Sequence, residues 1–366
     1  MSIVAREISC AEGRIGVLTL SSPPFSGHLS LKGIDDSLAA LRRWKDDAAL
    51  ALVVLHGDEN TFCTGVDLRA LHETLLPGRN ALPPYIESTF IQLALLFHQL
   101  HTYPKPVLAW ASGAADGAGL GLLSACRYRL GTPSLCLSQT EVLSGYCPAA
   151  GATWYLNRLP GNIGLFLALT GVGIRAGDAC RLGLLDNLVD GDSLEPLLES
   201  LRQTRWDTTM AANDNRLHRL LKQFPRESAT AENSPMANHE AAIIEDCRAP
   251  RVNDVISALQ ARSDDGPWYA EVQRNLRRAS PVSSRLIHEQ LQRGASLSLA
   301  AGLRMEVNLT VNCLQREEAV NGIWSRLNPD RGSPSWSYPN PWEVPDEWIA
   351  SHFESPWRNA HPLDHL

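Results

Sequence analysis

Apolar residues in the first half of the chain fall into short runs closed by turn-forming residues. Ile15 to Leu20 (IGVLTL) predicts a strand ended by the Ser21-Ser22-Pro23-Pro24 turn, and Ala49 to Leu55 (ALALVVL) a buried strand ended by His56-Gly57. Between them Leu38, Leu41 and Trp44 recur at helical spacing. Asp35 and Asp36 stand where a helix start favours acids, and Arg42, Arg43 and Lys45 lie toward its C-terminal end. Val107 to Ala111 predicts a third strand, running into a Gly/Ala-rich stretch that must open another helix. The order β, α, β, loop, α, β, α predicts a layered α/β core.

From about Leu194 the strand pattern gives way to helical spacing. Glu195 to Arg202, Arg216 to Gln223, Glu240 to Asp246, Val252 to Arg262, Tyr269 to Arg278, Ser283 to Gln292 and Leu297 to Gln315 are all predicted helical. The polar stretch Pro225 to Asn238 reads as a loop and the segment most prone to disorder. Trp324 to Trp357 is crowded with tryptophan and proline and lacks periodicity. That predicts an irregular tail laid over the surface, because leaving so many indoles in water is costly. The expected organisation is a core over residues 1–200 and a helical region over 201–366. No internal repeat is visible.

Composition changes this picture only by exclusion. The 366 residues are 44% hydrophobic and 20% charged, an ordinary globular balance, and no apolar run reaches the length of a membrane span. Lys and Arg total 33 against 40 Asp and Glu, a net charge of −7, which disfavours nucleic acid or an anionic membrane as a partner. The eight cysteines are scattered without CxxC pairs or zinc-like Cys/His spacing, so reduced thiols and no metal are expected. The opening MSIVAREISCAEGR has neither the order of a secretory signal nor the character of a transit peptide, and a cytoplasmic protein is expected.

Two glycine-centred corners carry the chemistry. Thr61 to Arg69 (TFCTGVDLR) follows the strand ending at Leu55, and Lys105 to Gly121 (KPVLAWASGAADGAGLG) leads a strand into an apolar helix. Small residues before a helix let the backbone turn sharply and leave N–H groups pointing outward, where the helix dipole favours negative charge. Each corner alone reads equally as a simple turn; two that face one another would hold a developing oxyanion.

The first corner resembles the F-C-A-G-x-D-[IL]-R segment of crotonases, and the second their K-P-V-[IL]-A-x-[IV]-x-G-x-x-x-G-G-G segment. Ser138 to Gly151 (SQTEVLSGYCPAAG) is similar to their P-E-x-x-x-G-x-x-P-x-x-G element, in the same order along the chain. The resemblance implies an α/β fold with a ββα spiral core and a mostly helical C-terminal region capping an acyl site. It implies an oxyanion hole made of the Val66 and Ala118 N–H groups, with Gly65, Asp67, Asp116, Gly117, Gly119, Tyr146 and Ala149 around the substrate. It implies an acyl-CoA thioester as small-molecule partner, no cofactor beyond the CoA of that substrate, and a tendency to self-associate.

Within the superfamily, hydratases place a first catalytic Glu where this chain has Gly121. The segments 159–171 (LPGNIGLFLALTG), 181–190 (RLGLLDNLVD), 279–284 (ASPVSS) and 302–309 (GLRMEVNL) resemble those of 3-hydroxyisobutyryl-CoA hydrolases instead. That branch implies Glu141 as nucleophile or general base, with burial raising its pKa and a nearby amide opposing the rise. A lyase or isomerase on the same scaffold, or a protein that binds CoA thioesters without turnover, are the alternatives. Two departures bear on the choice. Ala149 replaces an Asp thought to engage the substrate hydroxyl, and Asn321, in Glu318 to Asn328, replaces an Arg. Asp116 is read as either a helix N-cap or a second acid at the acyl group, Cys147 as pocket lining, and Lys105 and Arg69 as side chains that could reach CoA phosphates.

Overall fold

The structure, a computed structural model, describes residues 3–20, 27–75, 83–224, 227–228, 230, 234–262 and 266–366. The chain forms two compact units, each drawn from three stretches. The first comprises Met1–Gly65, Leu95–Leu137 and Ile174–Pro235, and the second Val66–Ala94, Ser138–Gly173 and Met236–Leu366.

Among the described residues of the first unit, ten strands follow one another: β1 (Val4–Ser9), β2 (Arg14–Thr19), β3 (Leu50–His56), β4 (Thr61–Cys63), β5 (Val107–Ala111), β6 (Ala114–Asp116), β7 (Tyr128–Gly131), β8 (Cys136–Ser138, whose last residue opens the next stretch), β9 (Ile174–Arg175) and β10 (Asn187–Leu188). A six-stranded sheet takes the order β1-β2-β3-β5-β7-β10, parallel from β2 onward, and a four-stranded sheet the order β4-β6-β8-β9. Each consecutive pair, β3/β4, β5/β6 and β7/β8, gives its first strand to the large sheet and its second to the small one. Repetition of that step is the ββα spiral expected from the resemblance.

The period-two alternation of the strands explains the core. Ile15, Val17, Leu52, Val54, Leu108, Trp110 and Leu130 point to one face, where Leu197, Leu198 and Leu201 of the helix Leu194–Gln203, Trp206, and Leu217 and Leu221 of the helix Met210–Leu221 cover them. On β2, Gly16 leaves room for Trp44: a Cβ there would stand 2.7 Å from the indole. The helix carrying Trp44 spans Leu31–Lys45 and is capped by Ser30, whose hydroxyl accepts from the Gly33 N–H. Its start is therefore a turn earlier than Asp35 and Asp36 suggested, because a side chain that can reach an orphan N–H decides the boundary.

The second unit is helical around one buried element. Every residue of the helix Ile163–Thr170 (IGLFLALT) is buried, and a helix apolar on all sides has no other place than a core. Helices Ala152–Leu156, Glu240–Asp246, Pro267–Arg278 and Pro281–Gly294 pack against it. Ser280 and Ser298 cap the helices Pro281–Gly294 and Leu299–Leu314 by accepting from the Ser283 and Ala301 N–H groups. The helix Glu317–Leu327 was not expected and takes in Trp324, read as the start of the irregular tail. Beyond it the tail is mostly irregular and docked: Trp336 Nε1 donates to Arg278 O, Trp357 Nε1 donates to Asn308 Oδ1, and the Arg316 guanidinium lies 4.4 Å from the Trp348 ring.

The Ser21 to Pro24 turn lies outside the described residues, as does much of the Pro225 to Asn238 loop, whose end forms a 3-10 turn at Pro235–Asn238. All eight cysteines are free. No helix among the described residues is long and apolar enough to cross a membrane.

Candidate active site

In the first unit the two glycine corners meet. Gly65 follows β4 with φ 79°, and a Cβ on it would lie 3.1 Å from Asp116 O and 3.5 Å from the Ala118 N atom. Gly117 (φ 52°, ψ −115°) occupies the N-cap of the helix Ala118–Ala125, in a backbone region that side chains other than hydrogen disfavour. Ala118 is thus the first helical residue, and its N–H is among those a helix leaves without an internal acceptor. At Gly119 any Cβ would overlap the Cys63 carbonyl oxygen, so the glycine lets the helix seat on β4.

Asp116 ends β6 and is not the cap; Gly117 is, with no side-chain hydrogen bond at that position. The cap reading of Asp116 is corrected accordingly. Burial pushes the neighbouring Cys63 thiol up to about 12, with the Asp116 charge adding to the rise, so this cysteine stays protonated. Lys105 is held elsewhere: its Nζ donates to Trp44 O and Asp47 O at 2.6 Å each, closing the C-terminal end of the helix Leu31–Lys45.

In the second unit Val66 is buried and Asp67 is the N-cap of the helix Leu68–Thr74, its Oδ1 accepting from the Arg69 and Ala70 N–H groups. The Arg69 side chain is exposed. Glu141 opens a 3-10 turn, Glu141–Ser144, and only 6% of it is exposed. Gln139 Nε2 donates to Glu141 Oε2 at 2.7 Å, and Tyr155 OH donates to Gln139 Oε1 at 2.5 Å. The carboxylate is thereby fixed by a neutral amide that is itself oriented, with Tyr155 buried behind it.

After the turn, Gly145 (φ 76°) reverses the chain, and Tyr146 donates its N–H back to Glu141 O at 3.3 Å. Tyr146, Cys147 and Ala149 are buried, and the Cys147 and Cys313 sulfurs stand 4.0 Å apart. Ala150 (φ 57°) and Gly151 (φ 80°) then turn into the helix Ala152–Leu156, whose N-cap side chain offers nothing. Glu306 replaces the missing cap from far along the chain, accepting from Gly151 N at 2.8 Å and Thr153 N at 2.6 Å. Gln290 holds the same loop, donating to Pro148 O at 2.8 Å. The loop before this helix is held in place by polar side chains around Ala149, which has none. Asn321 is exposed, and its amide donates to Ser335 O at 3.4 Å.

Gln139, Tyr155 and Glu306 were not singled out as functional from the sequence. Gln139 stands next to a motif residue, but Tyr155 and Glu306 act across sequence separations of 16 and about 150 residues, which leave no local pattern.

A fold of paired strands in a ββα spiral, glycine corners with a helix-start amide, and a buried glutamate define a class, and comparison with known proteins agrees. The model of the enoyl-CoA hydratase/isomerase family matches residues 15–353, and the chain belongs to that family, part of the crotonase superfamily of acyl-CoA-processing enzymes. More particularly, the chain is 28% identical over 348 residues to the mitochondrial 3-hydroxyisobutyryl-CoA hydrolase of Bos taurus, covering 94% of this chain and 87% of that protein. It is 27% identical, with the same coverage, to the mitochondrial 3-hydroxyisobutyryl-CoA hydrolase of Homo sapiens. The crystal structure of a carnitinyl-CoA dehydratase from Mycobacterium thermoresistibile superposes with a TM-score of 0.85 at 25% identity, covering 100% of this chain and 99% of that one. That of an enoyl-CoA hydratase from Rhodobacter sphaeroides 2.4.1 gives 0.81 at 26% identity, covering 96% and 97%.

Proposed function

We propose that this protein hydrolyses the thioester of a short or branched acyl-CoA. In this reading the Val66 and Ala118 N–H groups bind the carbonyl oxygen as it gains charge, and Glu141 attacks the carbonyl carbon or takes a proton from the attacking water. By the first route the thiolate of CoA leaves, an anhydride remains on Glu141, and water regenerates the carboxylate; by the second, water adds directly. The observation that carries the proposal is the buried Glu141 carboxylate held by the neutral Gln139 amide. Such a partner fixes the orientation of the carboxylate, as a nucleophile or base requires. The abutting Gly65 and Gly117 corners support the oxyanion role, since the Val66 N–H belongs to the peptide leaving Gly65.

Gly121, in place of a second acid, supports hydrolysis over hydration. Ala149 has no group to engage a substrate hydroxyl, so the acyl chain need not carry one. No cofactor is required beyond the CoA of the substrate, and a cytoplasmic setting and self-association remain part of the proposal. A lyase or isomerase reading, with Glu141 moving a proton at an enolate, is favoured by one observation: the dehydratase and hydratase structures superpose over nearly the whole chain.

A panel of acyl-CoAs followed both by release of free thiol and by enoyl absorbance separates these. Thiol release is expected, and Glu141→Gln is expected to lower it by ~10²-fold or more. Enoyl formation without thiol release would replace the hydrolase with the lyase, and a fully active Glu141→Gln variant would end the assigned role.

A further inference from the structure

The 3-10 turn that carries Glu141 has a second face. Leu143 there lines a small polar cavity of about 60 Å³ together with Asn275, Arg278, Ser325, Arg326 and Pro334. Arg278 comes from the last turn of the helix Pro267–Arg278 and Arg326 from the last turn of Glu317–Leu327, so two guanidinium groups converge from separate elements. Last-turn arginines ordinarily complement the helix dipole and dissolve into solvent. Here no carboxylate among the described residues pairs with either one: Arg326 donates only to the Thr140 hydroxyl, at 3.3 Å. Asn275, only 9% exposed, also lines the cavity, as does Ser325, 2% exposed, whose hydroxyl is 3.4 Å from Gly332 O. A buried asparagine and two arginines with no carboxylate partner among the described residues match a tetrahedral oxyanion in charge and donor chemistry.

We propose that this cavity is a binding site for a phosphate-class anion, held by Arg278 and Arg326 with Asn275 beneath it. Arg326 links the site to the catalytic turn, since Thr140 is the residue that precedes Glu141 in that turn. The anion is either free inorganic phosphate or a phosphate group of a larger ligand, which share this recognition. The site stands whether or not the protein is a hydrolase.

Calorimetric titration of the full chain with inorganic phosphate, at ionic strength matched with sodium chloride, tests it. Saturable binding is expected, weakened about tenfold or more by either Arg278→Gln or Arg326→Gln, the effect of losing one charge-assisted contact of roughly 1.4 kcal/mol. Arg326 is exposed and Arg278 half-buried, and unchanged thermal unfolding of the two variants in chloride verifies that they fold. No saturable heat, or binding that both variants retain, overturns the proposal. Competition then identifies the source. Displacement of phosphate by CoA but not by dephospho-CoA assigns the 3′-phosphate of CoA, displacement by both assigns its pyrophosphate, and displacement by neither assigns a free anion.

Discussion

Glu306 accepts from two main-chain N–H groups inside the protein, yet burial outweighs those bonds and pushes its carboxyl up to about 7 from an ordinary 4.5. The folded state therefore holds a proton that the unfolded chain releases between those two values. Stability from this group is highest below pH 4.5 and falls as the pH rises toward 7, by roughly 3 kcal/mol in all at ~1.4 kcal/mol per unit. Urea unfolding at pH 5 and pH 8 is expected to show the wild type losing about that much relative to Glu306→Gln, which cannot ionise. Parallel behaviour of the two proteins would show that Glu306 titrates normally. The same residue shows the limit of sequence reading at this scale. Its motif was recognised, but not that it closes the helix start at Gly151 and Thr153, because the partners lie about 150 residues away. Glu141 was legible as chemistry, while its tether through Gln139 to Tyr155 was not.

Helices and strands were legible wherever a local rule set them. The apolar runs of β2, β3 and β5 were placed within a residue or two, and Glu240–Asp246 to the residue, since apolar runs and helical spacing are properties of the segment itself. Missed boundaries have contact-level causes. Ser30 caps earlier than the acids behind it, and Glu317–Leu327 is stabilised by its seat on neighbouring backbone: Gly322 lies so close to Ser144 that a Cβ would overlap it. Gly119 is the clearest case of an element position set by backbone approach. Gly119→Ala is expected to cost about 3 kcal/mol, because the Cys63 carbonyl it meets belongs to a strand and cannot swing away. A thermal unfolding midpoint within a degree of wild type would mean that the helix Ala118–Ala125 can lift off β4 freely.

On the scale of the whole chain, the large sheet depends on residues that arrive late. Leu201, Trp206, Leu217 and Leu221 cover the face formed by Leu52, Val54, Leu108 and Leu130. Leu217→Ala in the full chain is expected to uncover part of that face and cost about 2–5 kcal/mol in urea unfolding, and an unchanged midpoint would show that the covering helix is dispensable. By itself the sequence determined the glycine corners and the short apolar strands ended by turns, since each is a demand made by consecutive residues on their own backbone or on water. Tertiary structure alone decided which side chains satisfy Glu141, which carboxylate caps the loop at Gly151, and where Lys105 ends. Those outcomes depend on desolvation and on partners brought together across long chain separations, and neither is a property of any short stretch of residues.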